Sequence, residues 1–169
     1  MDKNAFATSE AAVLHVVKTY FHLPTAQIVR GDHGKPFLSH NGEIPLFFSV
    51  SHTADKLFIA FSNENVGLDA EKCTRQVDYA PIIKRFSLSE RKEIVDMATF
   101  LKHWTVKESA VKWLGGSLAH DLYKLRFEKG ALYYGELQLP VALTFFSVNG
   151  CLLTVCSERD FADAEIINV

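Results

Sequence analysis

Three carboxylates and one lysine lie in two short runs of this chain. Asp69 and Glu71 are two positions apart in a predicted strand over residues 66–71, so both carboxylates leave the same face of the strand. Glu108 and Lys112 are four positions apart in a predicted helix, one turn from each other on one face. Such a set suits a magnesium ion that holds a polyphosphate, because Mg²⁺ prefers oxygen ligands and takes some of them from substrate phosphates.

The same residues also have structural interpretations. Acidic residues on a strand are mostly solvated, and a glutamate four positions before a lysine is a common ion pair on a helix surface. Val66 and Leu68 alternate with the acids of the strand, which places the acidic face opposite an apolar face and favours a site. For Glu108 and Lys112, both interpretations stay open.

Composition excludes several classes of protein. The 169 residues are 48% hydrophobic, which is enough for one sizeable domain and unlike a disordered chain. A net charge of -2 provides no basic field, so nucleic-acid binding by charge is not expected. No apolar run approaches the roughly 20 residues of a membrane-spanning helix, and the first residues lack a signal-peptide pattern. We therefore expect a cytoplasmic protein without a membrane partner.

Metal sites built from cysteine or histidine are not predicted. The three cysteines, Cys73, Cys151 and Cys156, are an odd number without CxxC spacing, which argues against a disulfide framework or a zinc knuckle. We expect them to be small buried side chains. None of the seven histidines has a second histidine at H-x-H or H-x-x-x-H spacing, so zinc and copper sites are disfavoured.

Two further motifs are less specific than they first suggest. Residues 31–35 form a glycine-containing loop that ends in Lys35, but the loop lacks the spacing and the hydroxyl residue of a Walker loop. The lysine can still bind a phosphate as a point charge. Ser51 and His52 are adjacent, yet neighbouring side chains on a strand point to opposite faces and no G-x-S-x-G motif is present, which disfavours a serine hydrolase.

The predicted secondary structure combines helices with short strands. Residues 9–21 carry the apolar spacing of a helix, and Ser87 begins a capping-box pattern before a short helix to about residue 97. Thr99 and Gly115 are the predicted ends of a longer helix. Strands are predicted at residues 37–38, 46–51, 56–62, 66–71, 122–127, 131–138, 142–148 and 151–156. We expect the third and fourth of these strands to pair as a hairpin or meander.

A short internal repeat predicts the architecture. The sequence Phe-Phe-Ser-Val occurs at residues 47–50 and again at 145–148, each time after a predicted amphipathic helix and before another apolar strand. We predict an α+β fold of two similar halves, about 1–77 and 78–169, each combining a helix with a small antiparallel sheet. The halves would form a single domain about a pseudo-twofold axis, with the active site in the cleft between them. Only the first copy continues into a serine and a histidine, so the site would be asymmetric.

The order and spacing of five motifs resemble the 4'-phosphopantetheinyl transferase superfamily. In chain order the motifs are Gly-Lys-Pro at 34–36, Phe-Ser-Val-Ser-His at 48–52, Gly-Leu-Asp-Ala-Glu at 67–71, Arg-Phe at 85–86 with Glu90, and Trp-Thr-Val-Lys-Glu-Ser-Ala-Val-Lys at 104–112. The resemblance covers about residues 30–116 and is greatest to the larger, surfactin-synthetase-activating type, which is a pseudodimer in one chain. It implies a monomer with the two-half fold predicted above.

This resemblance implies a holo-[acyl-carrier-protein] synthase, that is, a 4'-phosphopantetheinyl transferase. Such an enzyme transfers the phosphopantetheine arm of coenzyme A to a serine of an acyl or peptidyl carrier protein and releases adenosine 3',5'-bisphosphate. Asp69, Glu71 and Glu108 would hold Mg²⁺ against the pyrophosphate, and Lys112 would stabilise a phosphate oxygen. Either Glu108 or a water organised by the metal would accept the proton of the serine.

Coenzyme A would be bound by residues of the first half. The resemblance assigns Lys35, Ser51 and His52 to coenzyme A. Fewer residues precede Arg30 than in larger family members, whose first segment grips the 3'-phosphate and adenine, and Arg30 is the predicted substitute. Weak coenzyme A affinity, or completion of the site by a second subunit, would follow. Lys107 would be either another phosphate contact or a solvent-facing charge.

Carrier proteins present an acidic helix beside their serine, so the resemblance also implies a basic and apolar docking surface. The candidate patch consists of Lys84, Arg85, Phe86, Leu88, Arg91 and Lys92. An ordinary amphipathic helix with solvated basic residues is an equally weighted alternative. The ring of Trp104 is expected to lie in the core even if its helix lines a cleft.

Two rival functions are compatible with the sequence. One is a non-catalytic module of the same fold that binds coenzyme A or a carrier protein, although the four intact site residues count against it. The other is a different magnesium-dependent enzyme that cleaves a pyrophosphate without modifying a protein. The sequence selects neither a carrier pathway nor Mn²⁺ over Mg²⁺.

Overall fold

A computed structural model describes residues 6–31, 34–43, 46–53 and 55–167 of this chain. Its helices are α1 (Ser9–Tyr20), α2 (Ala80–Ile83), α3 (Leu88–Glu93), α4 (Met97–Leu114) and α5 (Leu118–Asp121). Its strands are β1 (Gln27–Arg30), β2 (Pro36–Ser39), β3 (Phe47–Thr53), β4 (Lys56–Ser62), β5 (Val66–Lys72), β6 (Leu125–Glu128), β7 (Ala131–Tyr134), β8 (Leu137–Gln138), β9 (Ala142–Val148) and β10 (Cys151–Ser157). The predicted α+β class is confirmed. None of the helices in these ranges is long and apolar enough to cross a membrane.

The strands form four small antiparallel sheets with the orders β1-β2, β3-β4, β5-β10-β9 and β6-β7-β8. Strand β10 is central in the third sheet, where it pairs with β5 on one side and with β9 on the other. The prediction that residues 56–62 and 66–71 pair with each other was wrong. Strand β4 pairs with β3 instead, and β5 pairs with a strand near the end of the chain. Local strand patterns cannot reveal so distant a partner.

Strand β3 lies beside β5 and is joined to it through side chains. Three backbone N–H groups of β5 each donate to a hydroxyl of β3, at 2.8, 3.1 and 3.1 Å, in the pairs Leu68 with Ser49, Ala70 with Ser51 and Lys72 with Thr53. These bonds satisfy backbone donors that would otherwise be left without a partner at a partly or fully buried junction. The alternate positions of the hydroxyls also fix the register between the two strands.

The ends of α4 are set by specific residues. Asp96 is the N-cap and accepts a hydrogen bond from the backbone N–H of Thr99 at 2.8 Å, while the Thr99 hydroxyl accepts one from the N–H of Asp96 at 3.1 Å. Thr99 therefore lies one turn inside the helix and is not the cap that the sequence suggested. Gly115 ends the helix with a φ of +67°, as predicted, because glycine adopts this left-handed conformation without steric cost. The capping box of Ser87 with Glu90 is also confirmed.

Hydrophobic clusters hold these elements around α4 and the sheet β5-β10-β9. Val13 and Val17 of α1 contact the first sheets, while Val106 and Ala110 of α4 contact β6 and β7. A further cluster joins β5 to β10 on the face of the sheet that carries Leu68. The side chains of α4 thus contact several elements at once, and this helix is the longest in the described residues.

The cysteines divide into two kinds. Cys151 and Cys156 are buried in β10, as predicted, whereas Cys73 is exposed. The prediction of burial was wrong for Cys73, because this residue lies just beyond the end of β5, where the chain leaves the sheet.

The two copies of Phe-Phe-Ser-Val lie in the first strands of two antiparallel hairpins. Residues 47–50 lie in β3, the first strand of the hairpin β3-β4, and residues 145–148 lie in β9, the first strand of the hairpin β9-β10. The first copy begins its hairpin, whereas the second copy ends β9 beside the turn, so the two copies share a strand type but not an equivalent position. The pseudo-twofold axis and the division into halves at about residue 77 stay predictions.

Gly67 sets the distance between β5 and α4. A Cβ atom at this position would lie 2.0 Å from the carbonyl oxygen of Ser109 and 2.5 Å from the amide nitrogen of Trp113, and both are backbone atoms of α4. Only glycine leaves room for so close an approach. The contact matters for the site described below, because β5 and α4 carry all four of the residues singled out first in the sequence.

We expect Gly67→Ala to destabilise the protein by about 1–3 kcal/mol or more, because backbone atoms cannot move aside as a flexible side chain can. Urea unfolding followed by circular dichroism measures the change. Gly31→Ala is the matched control, since the nearest atom to its added Cβ would be 3.6 Å away. Equal unfolding midpoints for the two variants would contradict the role assigned to Gly67.

Candidate active site

Asp69 is the centre of an acidic cluster between β5 and α4. Its carboxylate is 3% exposed, and Oδ1 accepts hydrogen bonds from Ser51 Oγ at 2.9 Å and from Lys112 Nζ at 2.7 Å. Lys112 also donates to the carbonyl oxygen of Leu68 at 2.8 Å. Lys112 therefore forms its ion pair with Asp69, across the contact between strand and helix, and not the surface pair with Glu108 that the sequence also allowed. The other oxygen, Asp69 Oδ2, is buried and has no hydrogen-bond partner in the part of the chain that the structure describes.

Glu108 completes this arrangement from the helix side. The pKa of Glu108 is raised to about 7, mainly by burial and then by the charge of Asp69, with a smaller contribution from Glu71, while Lys112 opposes the rise. The nearby carboxylate of Asp69 thus favours the protonated form of Glu108. Carboxylates this close together resist being ionised at the same time. A bound cation would relieve their repulsion, since its charge favours the ionised forms.

Glu71 faces the same side of β5 and is 8% exposed. Burial raises its pKa, the ion pair with Arg75 opposes that rise, and the charge of Asp69 adds to it. The solvated strand face considered for Asp69 and Glu71 is thus excluded by their burial. Arg75 was not singled out in the sequence, although its position four residues after Glu71 would have allowed the pair to be considered.

The fit of a divalent cation can be tested on these side chains. Across the described ranges, no group of three or more His, Cys, Asp or Glu side chains is already arranged to hold a metal ion. On the strand side, the carboxylate of Glu71 is paired with Arg75 and so is not turned toward the other acids. The donor chemistry nevertheless fits Mg²⁺: three carboxylates are gathered, one buried oxygen of Asp69 has no hydrogen-bond partner among the described residues, and burial together with the charge of Asp69 raises the pKa of Glu108.

Lys35 lies at the end of α4 that carries Lys112. Its Nζ donates to the side-chain oxygen of Asn65, to the carbonyl oxygen of Val66 at 3.1 Å and to that of Trp113 at 3.0 Å. Burial lowers the pKa of Lys35 to about 8. All three N–H groups of the ammonium are therefore used by protein oxygens, and a phosphate would have to displace some of them.

Ser51 and His52 point in opposite directions, as their adjacent places on β3 predicted. Ser51 is buried, and its hydroxyl both donates to Asp69 and accepts from the N–H of Ala70, so it orients the acid. His52 is exposed, and its Nε2 lies 2.9 Å from Ser9 Oγ at the start of α1. The two residues therefore serve different regions of the molecule.

Arg30 lies at that same end of α1. Its guanidinium forms an ion pair with Glu10 and donates to the carbonyl oxygen of Gly34 at 3.1 Å. Since Ser9 and Glu10 are neighbours, the first turn of α1 brings Arg30 and His52 to one location. The structure thus groups the predicted site residues into an acidic cluster on β5 and α4, a basic pair at the start of α1, and Lys35 near the end of α4.

Lys107 is neither a phosphate contact nor a solvent-facing charge. It is fully buried, with Nζ 3.0 Å from Glu90 Oε1, 2.6 Å from the carbonyl oxygen of Leu125 and 3.9 Å from the centre of the Phe86 ring. Burial lowers the pKa of Lys107, which the charge of Glu90 opposes. The missed signal is its spacing, because Lys107 continues the apolar face of α4 that begins at Phe100.

Glu90 is equally buried and connects three elements. Its carboxylate accepts from the backbone N–H of Ser87 at 2.9 Å and of Phe127 at 3.1 Å, in addition to Lys107, and His103 Nδ1 lies 3.8 Å away. Burial alone would raise the pKa of Glu90, but His103, Lys107 and the two backbone donors outweigh it and lower the pKa to about 2. The ion pair therefore ties α3 to α4, at a residue that directly precedes Glu108.

The predicted docking patch is only partly exposed. Phe86 is 2% exposed and cannot belong to a docking surface, because its ring is in the core beneath Lys107. Leu88 is 73% exposed. Arg91 is exposed but donates to the carbonyl oxygens of Phe86 and Lys84, so it also stabilises the turn before α3. The other members of the patch, Lys84, Arg85 and Lys92, are exposed.

The ring of Trp104 lies in the core, as predicted. It is stacked on Phe100 with ring centres 5.9 Å apart and contacts two of the hydrophobic clusters. Its helix nevertheless presents Glu108 and Lys112 to β5, so a core role for the ring and a site role for the helix are compatible.

Known proteins match the part of the chain that contains this cluster. A family model described as the 4'-phosphopantetheinyl transferase superfamily matches residues 65–145. The 4'-phosphopantetheinyl transferase AcpT of Salmonella typhimurium is 34% identical over 102 residues, 56% of this chain and 52% of AcpT. The 4'-phosphopantetheinyl transferase psf-1 of Bacillus pumilus is 27% identical over 149 residues, 83% of this chain and 62% of psf-1. The chain is therefore similar to the 4'-phosphopantetheinyl transferase superfamily over the region that contains the acidic cluster.

The family match covers only some of the predicted site residues. The matched residues 65–145 contain the acidic cluster and the buried pair of Glu90 and Lys107. Arg30, Lys35 and the strand β3 lie outside that match. The chain spans about half the length of AcpT, and the L-aminoadipate-semialdehyde dehydrogenase-phosphopantetheinyl transferase of Xenopus laevis is likewise covered over 48% of its length, at 27% identity.

The raised pKa of Glu108 predicts how stability depends on pH in the absence of metal. Between about pH 4.5 and 7 an unfolded chain releases this proton while the folded protein keeps it, so the free energy of unfolding should fall as pH rises through that window. Glu108→Gln should remove this slope and be more stable than the parent above pH 7, by on the order of 1–3 kcal/mol. Urea unfolding in EDTA at several pH values measures both effects.

Glu136→Gln is the matched control for that experiment, because Glu136 is an exposed acid outside the cluster. This variant should keep the pH dependence of the parent protein. An identical slope for Glu108→Gln and the parent would contradict the assigned interactions of Glu108.

Proposed function

We propose that this protein transfers the 4'-phosphopantetheine arm of coenzyme A to a serine of an acyl or peptidyl carrier protein. The observation that carries the proposal is the meeting of Asp69, Glu71, Glu108 and Lys112 at the contact between β5 and α4, within the region that matches this superfamily. Three carboxylates gathered at a buried contact cost free energy that a bound cation would offset.

The proposed reaction is a displacement at phosphorus. The serine oxygen of the carrier forms a bond to the phosphorus atom that bears pantetheine, and the bond from that phosphorus to the bridging oxygen of the pyrophosphate breaks. Adenosine 3',5'-bisphosphate leaves with the bridging oxygen. The proton of the serine hydroxyl passes to a base, which is either Glu108 or a water organised by the metal.

Asp69, Glu71 and Glu108 are the residues proposed to hold Mg²⁺. When bound, the ion would offset the negative charge that builds on the pyrophosphate as the phosphoanhydride bond breaks. Ser51 and Lys112 keep Asp69 Oδ1 in place through hydrogen bonds, so that Oδ2 is the oxygen left for a ligand. Lys112 additionally places a positive charge where a phosphate oxygen would approach the acids.

The phosphates of coenzyme A are proposed to reach the start of α1. A shallow cavity of about 390 Å³ lies there, lined in part by Ser9, Arg30 and Phe48. Arg30 lies in this lining together with Glu10, its ion-pair partner, so a phosphate would have to displace that carboxylate. His52 contacts Ser9 there, and the first N–H groups of a 12-residue helix favour negative charge. Lys35 is a weaker candidate than the sequence suggested, because its ammonium is already bonded to three oxygens.

The carrier protein is proposed to dock on α3. Lys84, Arg85 and Lys92 provide exposed positive charge around the exposed side chain of Leu88, a combination that complements an acidic helix with an apolar stripe. The buried ion pair of Glu90 and Lys107 fixes this helix to α4 and hence to the acidic cluster. A carrier bound to α3 would therefore meet the transferase site in a defined position. We further propose that the reaction takes place in the cytoplasm.

The first test is intact-protein mass spectrometry of an apo acyl carrier protein incubated with this chain, coenzyme A and Mg²⁺. We expect a gain of one phosphopantetheine that EDTA prevents and that Glu108→Ala reduces by at least about a hundredfold in rate, as expected for loss of a metal ligand or a general base. Glu136→Gln should retain the parent rate. An unmodified carrier, in the presence of bound coenzyme A and across several carriers, would favour the non-catalytic module instead.

Charge reversal at two exposed lysines tests the docking surface. Lys84→Glu with Lys92→Glu should raise the KM for the carrier protein about tenfold or more through repulsion of its acidic helix, while the Kd for coenzyme A stays unchanged. Steady-state kinetics and calorimetry provide the two numbers. Lys18→Glu with Lys129→Glu changes the net charge equally at exposed positions elsewhere and should leave both values unchanged. Equal losses in the two double variants would refute docking on α3.

A further inference from the structure

The indole N–H of Trp104 is a buried donor that the roles described above do not use. The ring packs in the core, but its Nε1 atom is buried and has no hydrogen-bond partner in the part of the chain that the structure describes. A buried N–H without an acceptor costs free energy, and buried indoles usually find one. An acceptor that comes within reach when a ligand binds would remove that cost.

The side chains on one face of α4 lead from Asp69 toward Glu71. Trp104 and Lys112 are eight positions apart in the helix, just over two turns, and lie on the same face. At one end of this row, Lys112 bonds to Asp69 at 2.7 Å. At the other end, Trp104 belongs to the same hydrophobic cluster as Leu152, the residue of β10 directly opposite Glu71. Residues directly opposite each other share a face of the sheet, so Trp104 lies beside Glu71.

The N–H of Trp104 is near the Glu71 carboxylate without being bonded to it. Burial raises the pKa of Glu71, Arg75 opposes the rise, and the indole N–H acts in the same direction as Arg75 to a smaller extent. The donor is thus close enough to favour the ionised acid, yet its distance or angle does not meet the geometry of a hydrogen bond. A small rotation of the Glu71 side chain would complete the bond.

Arg75 holds Glu71 in its present orientation. The arginine lies on a turn after β5, where its backbone N–H donates to the carbonyl oxygen of Lys72 at 2.8 Å, and its guanidinium forms an ion pair with Glu71. The side chain of Arg75 is 39% exposed. Ion pairs of such exposed side chains contribute little to stability, because solvent screens them. A divalent cation can therefore displace the arginine.

We propose that Glu71 exchanges Arg75 for the bound cation and that the indole N–H of Trp104 then donates a hydrogen bond to Glu71. One oxygen of the carboxylate becomes free for the cation while the other accepts from Nε1. Hydrogen bonds of this kind commonly orient the carboxylates that bind a metal. Trp104 is then a positioning residue, and Arg75 competes with the metal for the same ligand. The inference rests on the Mg²⁺ site of the proposed function.

Titration of the ¹⁵N-labelled full chain with MgCl₂, followed by ¹H–¹⁵N correlation spectra, tests this exchange. The chain has two tryptophans, so Trp113→Phe assigns the two indole signals. The signal of Trp104 should move downfield as Mg²⁺ binds, because a hydrogen bond to a carboxylate deshields the proton, whereas that of Trp113 should stay in place. In Arg75→Gln, the Trp104 signal should be displaced in the same direction before Mg²⁺ is added, since Glu71 is already released.

The dissociation constant for Mg²⁺, taken from the same spectra, should change in opposite directions in two variants. Trp104→Phe should raise it about tenfold or more, which is the usual effect of removing a group that orients a metal ligand. Arg75→Gln should lower it about two- to fivefold, because the competing charge is gone. A purely structural role for both side chains would not produce effects of opposite sign.

Trp113→Phe and Lys72→Gln are the matched controls. The first also removes an indole N–H of α4 that has no hydrogen-bond partner among the described residues, and the second removes a positive charge next to Glu71 but on the opposite face of β5. Both should keep the dissociation constant of the parent, and circular dichroism should show all four variants folded. If Trp104→Phe does not fold, the indole signal of Arg75→Gln still decides.

Three outcomes separate this inference from the proposed function. A parent that binds Mg²⁺ with the Trp104 signal unmoved, or an Arg75→Gln variant that binds Mg²⁺ no more tightly than the parent, would overturn the inference and leave the metal site standing. A parent in which no signal responds to Mg²⁺ would refute the metal site as well. A chain that shows the indole shift and both changes in affinity, but modifies no carrier protein, would support the inference and refute only the transfer.

Discussion

The close contact between β5 and α4 at Gly67 is the constraint on which the rest of the structure depends. Strand and helix approach until a Cβ atom would meet the helix backbone at 2.0 Å, and this approach brings Asp69 to Lys112 at 2.7 Å. A larger residue at this position would push the helix outward and separate the acids from the lysine. The acidic cluster is therefore a property of backbone packing as much as of its charged residues.

Helix α4 turns one side to a buried ion pair and another side to the acidic cluster. Lys107 points into the core and neutralises the buried Glu90, whereas the next residue, Glu108, points toward Asp69 and lacks a full positive partner. Adjacent positions on a helix differ by about 100° in direction, so one short run can serve both. The core pair fixes α3 against α4, and removal of either partner would leave an uncompensated buried charge.

The buried ion pair and the acidic cluster also differ in how well their charges are satisfied. Glu90 accepts from two backbone N–H groups as well as from Lys107, and its pKa is lowered accordingly. The acids of the cluster repel one another, the pKa of Glu108 is raised, and one oxygen of Asp69 has no hydrogen-bond partner within the described ranges. A fully satisfied pair stabilises a fold, whereas a cluster of this second kind reduces stability until a ligand binds, as functional sites commonly do.

The sequence by itself determined the helices α1, α3 and α4, most strands, their turns and the identity of the acidic residues, because these follow from local spacing and from motif order. The short helices α2 and α5 and the strand β1 were not predicted. Tertiary structure decided the rest. The partner of β5, the burial of Lys107 and Phe86, the pairing of Glu71 with Arg75 and the engagement of Lys35 all arise from contacts between distant segments. Periodicity shows which face of an element is apolar, but the partner that covers that face depends on the packing of the whole chain.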